Sequence, residues 1–154
     1  MRRSAPIALL AATAVAALSL AAPAMAGGRP FETTLLGVNE TPSDFDLNGL
    51  GDADGEGSAT ITVNRGTGEI CYEITVANLD AVTMGHIHEA PAGTSGDVRV
   101  NFSLTQADFV EGTATGCATV KDRALAKEIA KNPDGYYVNI HTTTFPAGAL
   151  RGQL

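Results

Sequence analysis

The sequence predicts an all-β fold, an antiparallel sandwich or barrel that carries one short helix. Three observations predict it. From Phe31 onward, apolar residues take every second place in run after run. Some eight such runs follow one another with turn residues between them. A single segment, Arg123 to Lys131, departs from this period and takes helical spacing.

Phe31 to Val38 opens the series. In Ala59 to Val63 the residues Ala59, Ile61 and Val63 share a face, and in Ile70 to Val76 so do Ile70, Tyr72, Ile74 and Val76. Asn64-Arg65-Gly66-Thr67-Gly68 between them is a run of turn formers and reads as a hairpin connection. Further strands are expected over Val82 to His88, Val98 to Leu104, Thr113 to Val120, Tyr136 to Thr142 and Ala149 to Leu154. In Arg123 to Lys131, Leu125 and Ile129 lie four apart. Asp122 is placed to cap that helix, and Asn132-Pro133-Asp134-Gly135 to stop it.

The first 26 residues stand apart. Arg2 and Arg3 precede an alanine-rich apolar stretch, Ala5 to Ala22, and Pro23-Ala24-Met25-Ala26 ends in the A-x-A pattern of a cleavage site. We read residues 1–26 as a secretory signal peptide cleaved after Ala26, and residues 27–154 as one exported domain. No second apolar stretch follows that could span a bilayer. Ser4-Ala5-Pro6 does not continue a twin-arginine motif, so general secretion is expected, to the extracellular space or the cell envelope. Loss of Arg2 and Arg3 takes the formal net charge from −7 to −9. An acidic domain without a basic cluster is unsuited to nucleic acid or to anionic lipid. The residues specify no protein or cell-surface partner.

Cys71 and Cys117 are the only cysteines, and in an exported chain a disulfide between them is expected. Cys71 shares parity with Glu73 and Thr75, and Cys117 with Thr115 and Thr119. Both therefore point away from the more apolar faces, which suits a bridge on the outer surface of one sheet.

All three histidines lie in strand-like runs. His86 and His88 flank Ile87, so a continuing strand puts both imidazoles on one face. In Tyr136 to Thr142, Val138 and Ile140 face the core, leaving Tyr137, Asn139 and His141 opposite. If the two strands are neighbours, three imidazoles converge, a set that suits copper or zinc, with Glu40 or Glu89 as a further acidic ligand. Asn139 and Arg151 are read as structural. Arg151 shares a face with Gln153, where a charge-assisted pair with an acid such as Glu40 would hold the last strand.

Other chemistries find no support. Asp44-Phe45-Asp46-Leu47-Asn48-Gly49 begins like a calcium loop, but Gly55 stands where a bidentate glutamate is needed, so calcium at Asp44, Asp46 and Asn48 is not expected. There is no nucleotide-binding glycine motif and no Gly-x-Ser-x-Gly elbow. No catalytic residue is expected. Two other readings of the histidines remain open: stitching strands together in a structural or adhesive module, or, more weakly, serving a metalloenzyme with an open coordination position.

Several landmarks resemble one family. They are Leu36-Gly37-Val38-Asn39-Glu40-Thr41-Pro42, Gly57-Ser58-Ala59-Thr60, Gly85-His86-Ile87-His88, Gly96-Asp97-Val98, Tyr137-Val138-Asn139-Ile140-His141-Thr142 and the ending Phe145 to Leu154. In this order they resemble a chordin-type (CHRD) domain over Phe31 to Leu154, with Glu40-Thr41-Pro42-Ser43 departing slightly from the family's Glu-x-Pro-Pro. The resemblance implies an immunoglobulin-like, Greek-key β-sandwich in the exported space and supplies no defined activity. Gly85-His86-Ile87-His88-Glu89 is also similar to the copper-ligand strand of Cu/Zn superoxide dismutase. The further histidine and aspartate of that enzyme are absent, so dismutase activity is not implied.

Overall fold

Asn64, with the turn after it, shows how literally the chain follows its local chemistry. Its side-chain Oδ1 accepts from the amides of Gly66 (3.0 Å) and Thr67 (3.2 Å), and Gly68 takes a φ of 82°, which only glycine adopts without strain. The hairpin so closed pairs β2 (Glu56–Asn64) with β3 (Glu69–Ala77) from Asn64↔Glu69 outward. The computed structural model describes residues 27–42 and 50–154. The expected signal peptide and the acidic residues Asp44, Asp46 and Asn48 lie outside the described residues.

The remaining elements are β1 (Arg29–Leu36), β4 (Val82–Glu89), β5 (Asp97–Asn101), β6 (Thr113–Thr119), α1 (Arg123–Lys131), β7 (Tyr136–Thr142) and β8 (Leu150–Gln153). All pairings are antiparallel, in the order β5-β4-β7-β8-β1-β2-β3-β6. The all-β antiparallel expectation holds; the two separate sheets of an immunoglobulin-like sandwich are not confirmed. Two four-stranded halves are instead continuous through β1 and β8, whose one registered pair is Leu36↔Arg151. The sheet curls until its ends approach, with the Tyr72 ring of β3 4.5 Å from that of Phe102, just beyond β5. A nearly closed barrel results. Its single core holds Leu35, Ile61, Ile70, Ile74, Ile87, Val138, Ile140 and Leu150.

Two strands stop two or more residues short of their expected ends. The first strand stops at Leu36, where Gly37–Asn39 form a 3-10 turn. The fifth stops at Asn101, yet Phe102 and Leu104 still alternate into the core as an irregular segment. The helix keeps its expected bounds. Asp122 Oδ1 accepts from the Ala124 amide (2.8 Å), and Ala126, Ile129 and Ala130 are buried. No helix among the described residues is long and apolar enough to cross a membrane.

Cys71 and Cys117 face each other directly across β3 and β6 and are bonded. The bridge links neighbouring strands on the outer side of the sheet, as their parity requires. Of the acids after the calcium-like stretch, buried Asp52 uses its own Oδ1 to accept from the Gly55 amide (3.2 Å) and close a turn.

Candidate metal centre

Strands β4 and β7 are neighbours, and this brings the three histidines together. The register sets His86 opposite Asn139, Ile87 opposite Val138 and His88 opposite Tyr137. Ile87 and Val138 are fully buried in the core, so His86, His88, Tyr137, Asn139 and His141 share the other face. One nitrogen from each imidazole lies within 4.8 Å of one from each of the others. That face is partly covered, because loops cross it. His86 and His141 are each only 6% exposed, and the rings form the floor of a cavity of about 900 Å³ walled by Pro42, Ser95, Gly96 and Pro146.

The ring orientations are fixed from outside the cluster. His88 Nδ1 donates to the Gly96 carbonyl at 2.9 Å, and His141 Nδ1 to the Pro146 carbonyl at 3.1 Å. A carbonyl can only accept, so both Nδ1 atoms carry the proton and both Nε2 atoms keep a lone pair. His86 Nδ1 then donates to His141 Nε2 at 3.2 Å. His88 Nε2 is buried with no hydrogen-bond partner among the described residues. Carbonyl-anchored imidazoles whose opposite nitrogens keep a lone pair are the arrangement that outer-shell hydrogen bonds give metal-ligating histidines. Gly96 is required for it: a Cβ there would collide with the Glu89 carbonyl, so only glycine lets this loop sit close enough to reach His88.

Burial keeps the cluster uncharged. His86 is pushed down to about 4 by desolvation and by repulsion from His141 and His88. His88 and His141 are also lowered, chiefly by desolvation, and the Arg151 guanidinium lowers His88 further. Neutral imidazole is the ligating form.

Neither expected carboxylate joins the cluster. Glu89 pairs with Arg99. Glu40 lines the same cavity, but its Oε1 accepts from Asn139 Nδ2 at 2.6 Å, and burial pushes its carboxyl up to about 7. Asn139 thus holds Glu40. Arg151 is 2% exposed and hydrogen-bonds Thr41 Oγ1 and the Pro91 carbonyl, both at 3.0 Å, in place of the expected Glu40 pair. Its guanidinium lies 3.5 Å from the Tyr137 ring centroid, and Tyr137 stacks on His88 at 4.9 Å. Met84 lines the cavity too. Its position two residues before His86, on the parity of both histidines of that strand, was the available signal for it.

These residues fall within the stretch that matches a known family model, the CHRD domain, over residues 31–154. The chain belongs to the CHRD-domain family. No curated protein and no solved structure gives a significant match. Within this CHRD domain, His86, His88, Gly96, Asn139 and His141 gather around one cavity, although up to 55 positions separate them in the chain.

The pKa directions set an acid limit on the metal-free CHRD domain. The lowered imidazoles make the folded state bind fewer protons than the unfolded chain below pH 6.5, so their contribution is lost as pH falls towards about 4. Glu40 works the other way, destabilising above pH 7 and relieved as pH falls from 7 to 4.5. Three groups against one give a net loss between pH 6.5 and 4 in urea unfolding, and Glu40→Gln should steepen it. A flat profile across that range in the native sequence contradicts this.

Proposed function

We propose that the protein is an exported, non-catalytic binding module that holds one transition-metal ion, copper or zinc, through His86, His88 and His141. One observation carries the reading: among the described residues His88 Nε2 is a buried lone pair with no donor, on a ring that clusters with two further imidazoles. Leaving such a group unpaired is costly, and an ion at about 2.0–2.1 Å from each nitrogen would satisfy it. His86 Nδ1 would release its bond to His141 and pass its proton to Nε2, so that all three rings ligate as neutral donors. The disulfide is consistent with export. A purely structural role for the histidines explains the bonds to Gly96 and Pro146, but leaves His88 Nε2 without a purpose.

The test is metal analysis and thermal unfolding of untagged protein, stripped and reloaded with zinc or copper. About one ion per chain and a raised melting temperature are expected, both lost in His88→Ala. Native protein that takes up less than about a tenth of an equivalent of either metal ends the reading.

A further inference from the structure

We infer that the ion is monovalent copper and that the Met84 thioether is its fourth ligand. This rests on the three-histidine reading and adds to it the identity of the metal and a soft donor.

Met84 reaches the site through a fault in the strand. Val82 pairs with Thr142, but Met84 pairs with His141, leaving Thr83 as an extra residue in β4. A bulge of this kind reverses the face of everything on one side of it. Val82 is therefore 3% exposed in the core, whereas Met84, of the same parity, turns outward with His86 and His88. Gly85 confirms the orientation: a Cβ there would meet Leu104 and Ile140 on the core side. Met84 is 41% exposed, belongs to no part of the core cluster, and lines the cavity whose floor is the three imidazoles. Its packing gives no reason for an unbranched sulfur side chain here.

The electrostatics favour a single positive charge. Every donor is neutral, and among the described residues no carboxylate belongs to the cluster. Glu40 is held by Asn139, Glu89 by Arg99, and Asp97 stands in the cavity wall outside the cluster. The buried Arg151 guanidinium, stacked on Tyr137 and through it on His88, repels a dication about twice as strongly as a monocation. A thioether is a soft ligand that selects cuprous ion, while zinc sites draw on thiolate, imidazole and carboxylate. Three imidazoles, one thioether and a nearby fixed cation suit Cu(I) on both hardness and charge.

The experiment is competition titration of stripped, untagged protein: Cu(I) against a cuprous chelator without oxygen, and Zn(II) against a chromophoric chelator, with X-ray absorption at the copper edge. Met84 is partly exposed, so Met84→Leu should keep the native melting temperature. We expect Cu(I) to bind more tightly than Zn(II). Met84→Leu should weaken Cu(I) by ~10-fold or more, change Zn(II) by less than ~2-fold, and remove a sulfur scatterer from the copper spectrum. Native protein that shows no sulfur scatterer, or a Met84→Leu variant with unchanged Cu(I) affinity, overturns this inference and leaves the histidine site standing. Native protein that binds neither ion overturns both.

Discussion

Removing the Cys71–Cys117 bridge by the double substitution Cys71→Ala/Cys117→Ala is expected to cost roughly 4 kcal/mol of folding stability. The two cysteines lie 46 positions apart, so the bridge closes a long loop in the unfolded chain, and loop entropy sets that size. Its position adds a local reason. Strand β6 is the last in the sheet and pairs with β3 alone, so the bridge ties down an edge that otherwise relies on its ladder and the Thr75–Thr113 hydroxyl contact (3.0 Å). Cys71 is 2% exposed, which is why alanine is preferred to serine as the replacement. The melting temperature should fall by more than about 10 °C. A double variant melting within about 2 °C of the native protein would sink the prediction.

Arg151→Ala is expected to cost a comparable roughly 3–5 kcal/mol, the range seen when one partner of a buried charged network is removed. The substitution leaves the Thr41 hydroxyl and the Pro91 carbonyl without their donor and opens a void against Tyr137. It also removes the positive charge that offsets the buried Glu40 carboxyl. Thr41 and Pro91 belong to segments that cross the histidine face, so the damage should extend to the cavity. Arg151→Lys should recover less than half of the loss, because an ammonium cannot fork between two acceptors while lying flat on an aromatic ring. Chemical unfolding of the three proteins at pH 7.5 decides it. An Arg151→Ala curve superimposed on the native one would falsify the account.

Parity explains what could be read beforehand. Ile87 between His86 and His88, and Val138 and Ile140 before His141, suffice to put three imidazoles on one face once β4 and β7 are neighbours. Glycine, proline, asparagine and aspartate mark the hairpin and the helix ends, and these came out in place. What escaped depends on contacts between distant segments. The bulge at Thr83 leaves no trace in composition, so Val82 reads as sharing a face with His86 and His88 when it points into the core. Gly96 and Pro146 act through backbone carbonyls, which every residue has. Arg151 was placed on the correct strand, but its acceptors come from loops whose paths no alternation pattern encodes. Whether eight strands form two sheets or one depends on the Leu36↔Arg151 joint, a single pair with no signature of its own.

That narrow joint divides responsibility within the molecule. The disulfide belongs to the half made of β1, β2, β3 and β6, and every proposed metal ligand to the half made of β4, β5, β7 and β8. One half is fastened by the disulfide, and the proposed ion would fasten the other. The two fastenings share no strand and no hydrogen-bond partner, so their losses should add, as independent sites do. An exported chain in oxidising but metal-poor surroundings would then be locked at one end and loose at the other, its rigidity registering how much metal the medium holds.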